Sequence, residues 1–399
     1  LRLGAIPGFS GRCKIKPSEQ ARTKRGGKVI FWAAFAAVAA AFAVSSLGTA
    51  FVRRLAPKLN MIDMPLRHKA HARPVPLLGG SAVFAGFLLP SLLILAVARY
   101  WSHVGIPQWA QRFDSLAIHI PGAAAMAPFA LWILGGAFLF HVLGLIDDRK
   151  ALGPWVKLVA QVVICSAVVA AVPRVRILTV LDEILGPASS AIVTVIWLVI
   201  ITNAFNFLDN MDGLSAGVAM FVGAALLGAA LSMQPQQVFV AGWLCLLLGS
   251  LAGFLPYNFP PASIFMGDSG SLVVGFLLGV LSCLVTYVPP GGVYYLYGVF
   301  VPIVLMAVPL YDMVSVVTLR LRDRKNPMVG DRRHFSHRLV RRGMKVRTAV
   351  LTIYLCTAGT AIAASLLPRV DSVGAVLILA QTFAILLIIA LLEGGNDLP

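Results

Sequence analysis

Long runs of apolar residues separated by short polar segments cover most of the chain. Each run reaches about the 20 residues that a helix needs to cross the ~30 Å hydrocarbon core of a membrane. No segment between the runs is long enough for a separate soluble domain, so we predict a basic tail at 1–28, one transmembrane domain over 29–393 and a short tail at 394–399. The predicted fold class is an all-α integral membrane protein with about 11 transmembrane helices, at 29–52, 76–100, 122–146, 151–172, 188–206, 211–231, 238–255, 269–288, 293–319, 346–367 and 373–393.

Composition agrees with this pattern. Of the 399 residues, 59% are hydrophobic and 12% charged, which is too apolar for a soluble protein with one core. The five cysteines show none of the paired spacing of disulfide or zinc sites. Although the net charge is +17, we find no nucleic-acid-binding module and predict no nucleic-acid partner.

The basic residues are concentrated in alternate loops. Loop 53–75 has six and loop 320–347 has eleven, whereas Lys and Arg are scarce at 101–121, 173–187, 232–237, 289–292 and 368–372. Because basic loops stay in the cytoplasm, we predict a multi-pass protein of the inner (plasma) membrane with its N-terminus outside. The eight basic residues of tail 1–28 oppose this arrangement. Either the later loops outweigh the tail, or its assigned start is wrong, or segment 29–52 does not span; we favour the first two.

Five acidic residues fall at ends of predicted spans, all on the predicted cytoplasmic side. They are Asp147, Asp148, Asp209, Asp212 and Asp268. Ionisable groups near hydrocarbon are costly and usually serve a site or pathway. A helical bundle can bring these carboxylates together opposite the most basic loop, which indicates cations bridging to an anionic substrate.

Two of these motifs also have structural interpretations. Asp147 and Asp148 could form a polar turn that closes two helices, and Asp268 could be a helix N-cap. The helix start at Asp268 would equally suit phosphate oxygens.

The third motif places Asn203, Asn206, Asp209 and Asp212 three residues apart. On one regular helix the first and last would point in opposite directions. If all four serve one site, the helix must break between Asp209 and Gly213; a plain Asx-rich turn with a glycine stop is the alternative.

A basic segment follows at 331–345. His334 and His337 could bind a metal, although a third ligand is lacking, and the segment could lie on anionic lipid headgroups. We favour a cationic lid over a polyanionic substrate, with bidentate arginine contacts to phosphate.

Oxygen ligands without cysteine favour a hard cation, Mg²⁺ or Mn²⁺. Such ions most often manage phosphate charge, so the sequence predicts phosphoryl transfer. The membrane setting indicates that one substrate is a lipid.

Taken together, the motifs resemble the polyprenyl-phosphate N-acetylhexosamine-1-phosphate transferase family, part of glycosyltransferase family 4, in its WecA and TagO branch. The similarity extends from residue 29 to about 393. It rests on Gly144-Leu-Ile-Asp-Asp-Arg-Lys with Lys157 and Gln161 downstream, Asn203-Ala-Phe-Asn-Phe-Leu-Asp-Asn-Met-Asp-Gly-Leu, Phe265-Met-Gly-Asp-Ser-Gly-Ser and Asp331-Arg-Arg-His-Phe-Ser-His-Arg-Leu.

The resemblance implies an enzyme that moves HexNAc-1-phosphate, above all GlcNAc-1-phosphate, from a UDP-sugar to undecaprenyl (polyprenyl) phosphate. UMP leaves, and the lipid-diphosphate sugar starts a cell-envelope polysaccharide. The implied cofactor is Mg²⁺ (or Mn²⁺), and a homodimer is left open. Direct attack is favoured over a covalent aspartyl intermediate, because no residue stands out as a nucleophile. The implied catalytic residues are Asp147, Asp148, Asp209 and Asp212; the metal ligands Asp268, Asp147 and Asp212; and the substrate-binding residues Lys157, Asn203, Asn206, Asn258, His334, His337 and Arg338.

One departure from the family pattern lies between the two histidines. Ser336 stands where the family has the middle histidine of His-x-His-His, so the role of that histidine is lost or moved, and we expect a restored histidine to be tolerated. Two alternatives remain: the peptidoglycan enzyme that uses UDP-MurNAc-pentapeptide, and a secondary transporter. Transporters place charges near the bilayer midplane, usually with repeat symmetry; neither feature is found.

Overall fold

The computed structural model describes residues 17–64, 74–113, 117–179, 181–233, 236–287, 295–324 and 333–393, with the backbone alone for 17–30 and 295–296. The helices are α1 Pro17–Leu55, α2 Gly79–Val104, α3 Gln108–Gln111, α4 Ile120–Arg149, α5 Pro154–Ala171, α6 Leu181–Leu185, α7 Ser189–Leu208, α8 Leu214–Ser232, α9 Val238–Asn258, α10 Asp268–Leu284, α11 Tyr295–Gly298, α12 Val301–Leu305, α13 Ala307–Arg322, α14 Phe335–Arg341, α15 Val346–Leu366 and α16 Ser372–Glu393. Short 3₁₀ turns lie at Ala56–Leu59, Pro173–Val175 and Leu367–Arg369.

Two short strands form a small antiparallel ladder beside α2. Strand β1 is Ile62–Asp63 and β2 is Val75–Pro76, with Ile62 opposite Pro76. The ladder extends towards α10, because Phe265 donates its N–H to the carbonyl of Pro76 at 2.8 Å. It therefore joins the loop after α1 to the loop before α10.

Within the described ranges, nine helices are long and apolar enough to cross a membrane: Phe31–Leu59, Gly79–Val104, Ile120–Arg149, Pro154–Ala171, Ser189–Leu208, Leu214–Ser232, Val238–Asn258, Val346–Arg369 and Ser372–Glu393. This confirms the all-α, multi-pass membrane fold. The predicted span 269–288 corresponds to α10, which is apolar but only 17 residues long.

The predicted span 293–319 is divided in the structure. Its described part forms α11, α12 and α13, separated near Gly298 and Met306. Pro302 and Pro309 lie in the first turns of α12 and α13, where a missing N–H is tolerated but a continuous helix is not. The count of eleven spans stays a prediction.

The ends of the chain fall partly outside the described residues. Helix α1 begins at Pro17, so the last part of predicted tail 1–28 is helical. Residues 1–16 and the tail 394–399 lie outside the structure's description.

Helix α10 is the centre of the bundle. Every residue from Ser269 to Ser282 is buried, and the helix packs against α4 and α7. Close approach requires small residues: a Cβ at Gly275 would lie 2.8 Å from the Cα of Thr202. Helix α10 is consequently held between two neighbouring helices, in close contact with α7.

Outer helix faces carry large apolar side chains. Leu355 is 74% exposed, Leu47 is 73% exposed and Trp155 is 69% exposed. Such surfaces suit lipid rather than water. The polar residues described next lie at one end of the bundle, where α4, α7 and α9 end and α5, α8 and α10 begin.

Candidate active site

One face of α4 holds the first turn of α10. Asp148 accepts hydrogen bonds from the N–H groups of Asp268 at 2.8 Å and Ser269 at 3.1 Å. One turn earlier, a Cβ at Gly144 would lie 2.3 Å from the nitrogen of Ser269. One further turn back, His141 Nδ1 lies 2.9 Å from the Ser269 carbonyl oxygen. Asp148 is thus the side-chain cap of α10.

This arrangement corrects two interpretations of the helix start. Asp268 is the first residue of α10 and not its N-cap, because the residue before it is Gly267, with φ +70°. The next N–H groups, those of Gly270 and Ser271, both donate to the carbonyl of Gly267. The N–H groups that would have held a phosphate are already engaged.

Lys157 is the hub of the carboxylate cluster. Its Nζ lies 3.1 Å from Asp147 Oδ2 and 3.3 Å from Asn206 Oδ1, and it forms an ion pair with Asp268. Asn206 in turn donates to Asp268 Oδ1 at 2.7 Å. The Asp268 side chain remains 28% exposed, against 15% for Lys157. The site is therefore prearranged, with the Asp268 carboxylate its more open part.

Asp147 also closes the turn between α4 and α5. Its Oδ1 accepts a hydrogen bond from the N–H of Leu152 at 2.6 Å, while Oδ2 faces Lys157. The polar-turn interpretation and the site interpretation of this residue are therefore compatible.

The segment after α7 breaks as predicted. Helix α7 ends at Leu208, and Gly213 adopts a left-handed conformation with φ +72° before α8 begins. Such a conformation favours glycine. The break lets Asp209 and Asp212 leave the α7 helical path.

Asn258 connects this break to the loop before α10. Its Oδ1 accepts from the N–H of Gly213 at 3.0 Å and its Nδ2 donates to the Ile264 carbonyl at 2.9 Å. Asp212 makes a parallel contact, accepting from the N–H of Ala262 at 2.8 Å. Asn258 is only 3% exposed, so the structure places this predicted substrate-binding residue in a role of fixing backbone.

Asn203 lies deeper in the bundle. It donates to Gln161 Oε1 at 2.6 Å and to the Val199 carbonyl at 2.8 Å. Gln161 is fully buried. Asn203 therefore joins α7 to α5, the helix that carries Lys157.

Asp209 has the electrostatic signature of a crowded carboxylate. Burial raises its pKa well above the ordinary range, and the negative charges of Asp268, Asp148 and Asp212 raise the pKa further, although part of the residue is accessible. A cation near this group would relieve the repulsion.

The basic segment is anchored by an acid within α13. Asp312 is fully buried; its Oδ2 lies 2.7 Å from His334 Nδ1 and its Oδ1 accepts from the N–H of Phe335 at 3.1 Å. His334 is 5% exposed, and its ring centroid lies 6.4 Å from that of His337. Asp312 therefore fixes the orientation of the first predicted histidine.

Ser336 has its own partner. Its hydroxyl donates to Asn210 Oδ1 at 2.5 Å, and the residue is completely buried. This burial argues against the expectation that a histidine would be tolerated here, because the larger ring would have to displace packed neighbours; the expectation itself stays a prediction.

Arg338 is engaged away from the carboxylate cluster. Its Nη2 lies 2.8 Å from Glu393 Oε2 and 3.0 Å from Ser315 Oγ. Asp331 and Arg332, at the start of the predicted lid, lie outside the described ranges.

The donor set suits a hard cation. The side chains around Lys157 offer carboxylate and amide oxygens and no sulfur, the ligands of Mg²⁺ and Mn²⁺. Among the residues described, no three His, Cys, Asp or Glu side chains already form a metal-binding group, and the ammonium of Lys157 lies between Asp147 and Asp268. The suitability of these residues for a divalent cation rests on their oxygen donors and on the crowded negative charge at Asp209.

Sequence reasoning missed three contributors. Asp312 is an acid inside an apolar run, and such residues usually serve a site or pathway. The prediction considered only acids at the ends of spans and therefore did not include it. His141 lies one helical turn before Gly144 and had a comparable signal. Glu393 follows a long apolar run at the end of α16, and no local pattern distinguishes it.

Comparison with known proteins supports the motif resemblance. A model described as glycosyl transferase family 4 matches residues 130–286. The chain is 31% identical over 325 residues to a probable undecaprenyl-phosphate N-acetylglucosaminyl 1-phosphate transferase of Bacillus subtilis (strain 168), covering 80% of this chain and 81% of that protein. It is 30% identical over 339 residues to a decaprenyl-phosphate N-acetylglucosaminephosphotransferase of Mycolicibacterium smegmatis, covering 78% and 76%. Identity to an undecaprenyl-phosphate alpha-N-acetylglucosaminyl 1-phosphate transferase of Escherichia coli (strain K12) is 27%, covering 79% of each.

Proposed function

Because the chain belongs to glycosyl transferase family 4, among the polyprenyl-phosphate N-acetylhexosamine-1-phosphate transferases, we propose that it transfers GlcNAc-1-phosphate from UDP-GlcNAc to a polyprenyl phosphate. The observation that carries the proposal is the Lys157 hub. One ammonium group joins Asp147, Asp268 and Asn206 at the end of an apolar bundle. A phosphate on a membrane lipid and a water-soluble nucleotide sugar can meet at such an end.

In the proposed reaction an oxygen of the lipid phosphate attacks the sugar-proximal phosphorus of the donor. The new P–O bond forms as the bond to the UMP oxygen breaks, so one pyrophosphate linkage replaces another and UMP leaves. Catalysis then depends on positioning and charge neutralisation rather than on a protein nucleophile. The lipid phosphate is already anionic at neutral pH and acts as the nucleophile itself.

The residues divide these tasks. Lys157 supplies positive charge towards phosphate oxygens, while Asn206 holds the Asp268 carboxylate in place. Asp148 positions Asp268 by capping α10, which makes it a positioning residue. His334, which Asp312 orients through Nδ1, helps to bind the diphosphate of the donor from the basic segment.

We further propose Mg²⁺ or Mn²⁺ as cofactor, held by Asp268, Asp147 and Asp212 with Asp209 nearby. When bound, the ion would neutralise charge on the transferring phosphoryl group. The basic loops favour a cytoplasmic position for this end of the bundle, and we propose that the enzyme acts at the inner face of the plasma membrane. Its product would be the first lipid-linked intermediate of a cell-envelope polysaccharide.

The test is a transfer assay with purified protein, undecaprenyl phosphate, Mg²⁺ and a panel of UDP-sugars. We expect UDP-GlcNAc to give a lipid-diphosphate sugar and UMP in equal amounts. Because one pyrophosphate replaces another, labelled UMP should exchange into UDP-GlcNAc when the lipid product is present. Release of UDP would contradict phosphoryl transfer, and exchange that survives EDTA would contradict the metal.

A further inference from the structure

Helix α16 reaches the basic segment through a buried ion pair. The Arg338 guanidinium lies 2.8 Å from Glu393 Oε2, and the two side chains are only 14% and 9% exposed. Tyr311 donates its hydroxyl to Glu393 Oε1 at 2.6 Å, and Arg338 also contacts Ser315. The last residue of α16 therefore joins α14 to α13.

The other end of α16 is tied to the same divided region. Tyr297 in α11 donates its hydroxyl to Ser372 Oγ at 2.6 Å. Helix α16 also packs against α13, α14 and α15. It thus spans the region from α11 to α14 and is bonded to it at both ends.

One stretch of α13 provides contacts both to the Arg338–Glu393 pair and to His334. Tyr311 and Ser315 contact the Glu393 and Arg338 side, while Asp312, next to Tyr311, holds His334. Segment 334–338 is consequently fixed at both ends to α13. Removing Glu393 would break the link from Arg338 through Glu393 to Tyr311 and leave the single contact of Arg338 with Ser315.

An alternative for Arg338 is direct contact with a substrate phosphate. That contact would withdraw the guanidinium from Glu393 and leave a carboxylate with little solvent. Breaking a buried ion pair is strongly unfavourable because the remaining charge is uncompensated. The geometry therefore argues against a phosphate-binding role for Arg338.

We propose that Glu393 and Arg338 are a positioning pair, through which helix α16 holds α14 in the orientation that His334 needs for donor binding. Arg338 is then not itself a phosphate ligand, contrary to the role that the family resemblance implied. The expected effect on donor binding rests on the proposed function. The positioning of α14 rests on the contacts among α13, α14 and α16.

A double-mutant cycle tests it, with Arg338→Gln, Glu393→Gln, the double variant and the exchanged pair Arg338→Glu with Glu393→Arg. Each single change should raise the KM for UDP-GlcNAc ~10-fold and change kcat less than ~3-fold, since ground-state positioning is lost. The double variant should be no worse than the poorer single variant, because both changes break one interaction. The exchanged pair should recover most of the loss. Glu183→Gln, at an exposed acid of α6, is the matched control.

A second readout does not depend on activity. Trypsin cleavage after Arg341 and Arg342, located by mass spectrometry, should be faster in Glu393→Gln than in Glu183→Gln, because α14 is less firmly held. An inactive wild-type protein that still shows this difference would contradict the proposed function alone. Additive KM effects, or a normal KM in Glu393→Gln beside a raised one in Arg338→Gln, would overturn the positioning pair and make Arg338 a direct ligand. Unchanged cleavage would overturn it as well.

Discussion

The carboxylate cluster and the basic segment form the two sides of the candidate site, and they are built differently. In the cluster, side chains from α4, α5, α7 and α10 bind one another directly around Lys157. In the basic segment, three side chains are bound to residues from elsewhere in the chain: His334 to Asp312, Ser336 to Asn210 and Arg338 to Glu393. The acids of the cluster lie at helix ends, whereas His334 and Arg338 of the basic segment are held by acids from α13 and α16.

The largest effect should come from removing charge within the cluster. Asp268→Asn keeps the size and one oxygen but loses the charge that faces Lys157. We expect transfer activity to fall by roughly 10³-fold, the scale of an electrostatic contribution to a transition state. The measurement is kcat/KM in the UMP-release assay. Activity close to wild type would remove Asp268 from the site.

Lys157→Met should have the next largest effect, a loss of roughly 10²-fold in kcat/KM, because two carboxylates lose their shared cation. Lys58→Met removes the same charge from an exposed position near α1 and should change little. If both variants lost activity equally, general surface charge rather than the hub would be responsible.

The basic segment should respond less strongly and in a different parameter. Asp312→Asn leaves a partner for the N–H of Phe335 but removes the carboxylate that orients His334. The KM for UDP-GlcNAc should rise about tenfold with a smaller change in kcat. Asp323→Asn is the control, since Asp323 pairs with Arg333 at a more exposed position and such pairs contribute little. Equal effects would mean that the orientation of His334 is unimportant.

A smaller effect should follow from crowding the contact between α4 and α10. Gly144→Ala would place a methyl group against the backbone of Ser269 and should destabilise the protein by about 1–3 kcal/mol. Displacement of the Asp148 cap from the first turn of α10 should also lower transfer activity several-fold. Gly153→Ala adds the same methyl group where nothing lies within 4 Å. Thermal unfolding in detergent compares the two, and equal melting temperatures would contradict the close packing.

The smallest effect should be at the opposite end of the bundle. Hydrogen bonds from the backbone and hydroxyl of Ser190 lower the pKa of Asp182. Its contribution to stability is therefore present above the ordinary carboxyl pKa and is lost as the pH falls through the lowered value. Asp182→Asn should lower the melting temperature slightly at pH 7, the difference should vanish in acid, and activity should be unchanged. Reduced activity would place Asp182 in the functional machinery.

The sequence predicted those features that are local or that follow from a helical period. The angular argument over Asn203 and Asp212 required a break, and Gly213 provides it. The acids at span ends came together because the bundle aligns those ends. The cap of α10 cannot be identified from the sequence because it is supplied by Asp148, 120 residues away, and such a long-range contact leaves no local pattern. Glu393 was missed for the same reason.

The division of 293–319 was a different kind of error. The segment has the mean apolar character of one span, but it also contains two prolines that interrupt a continuous helix. Apolar length indicates membrane burial and does not establish helical continuity, so Pro302 and Pro309 were the better guide to its shape.

The cap that Asp148 provides also affects the electric field of α10. The aligned peptide dipoles of a helix place about half a positive charge at its N-terminus, which stabilises a nearby anion by roughly 0.3–1 kcal/mol. In α10 that field acts on Asp148 and on Asp268, both at the first turn. The macrodipole thus offsets part of the cost of holding two carboxylates side by side, and the affinity of the site for anionic substrates would come from Lys157, the basic segment and the proposed cation.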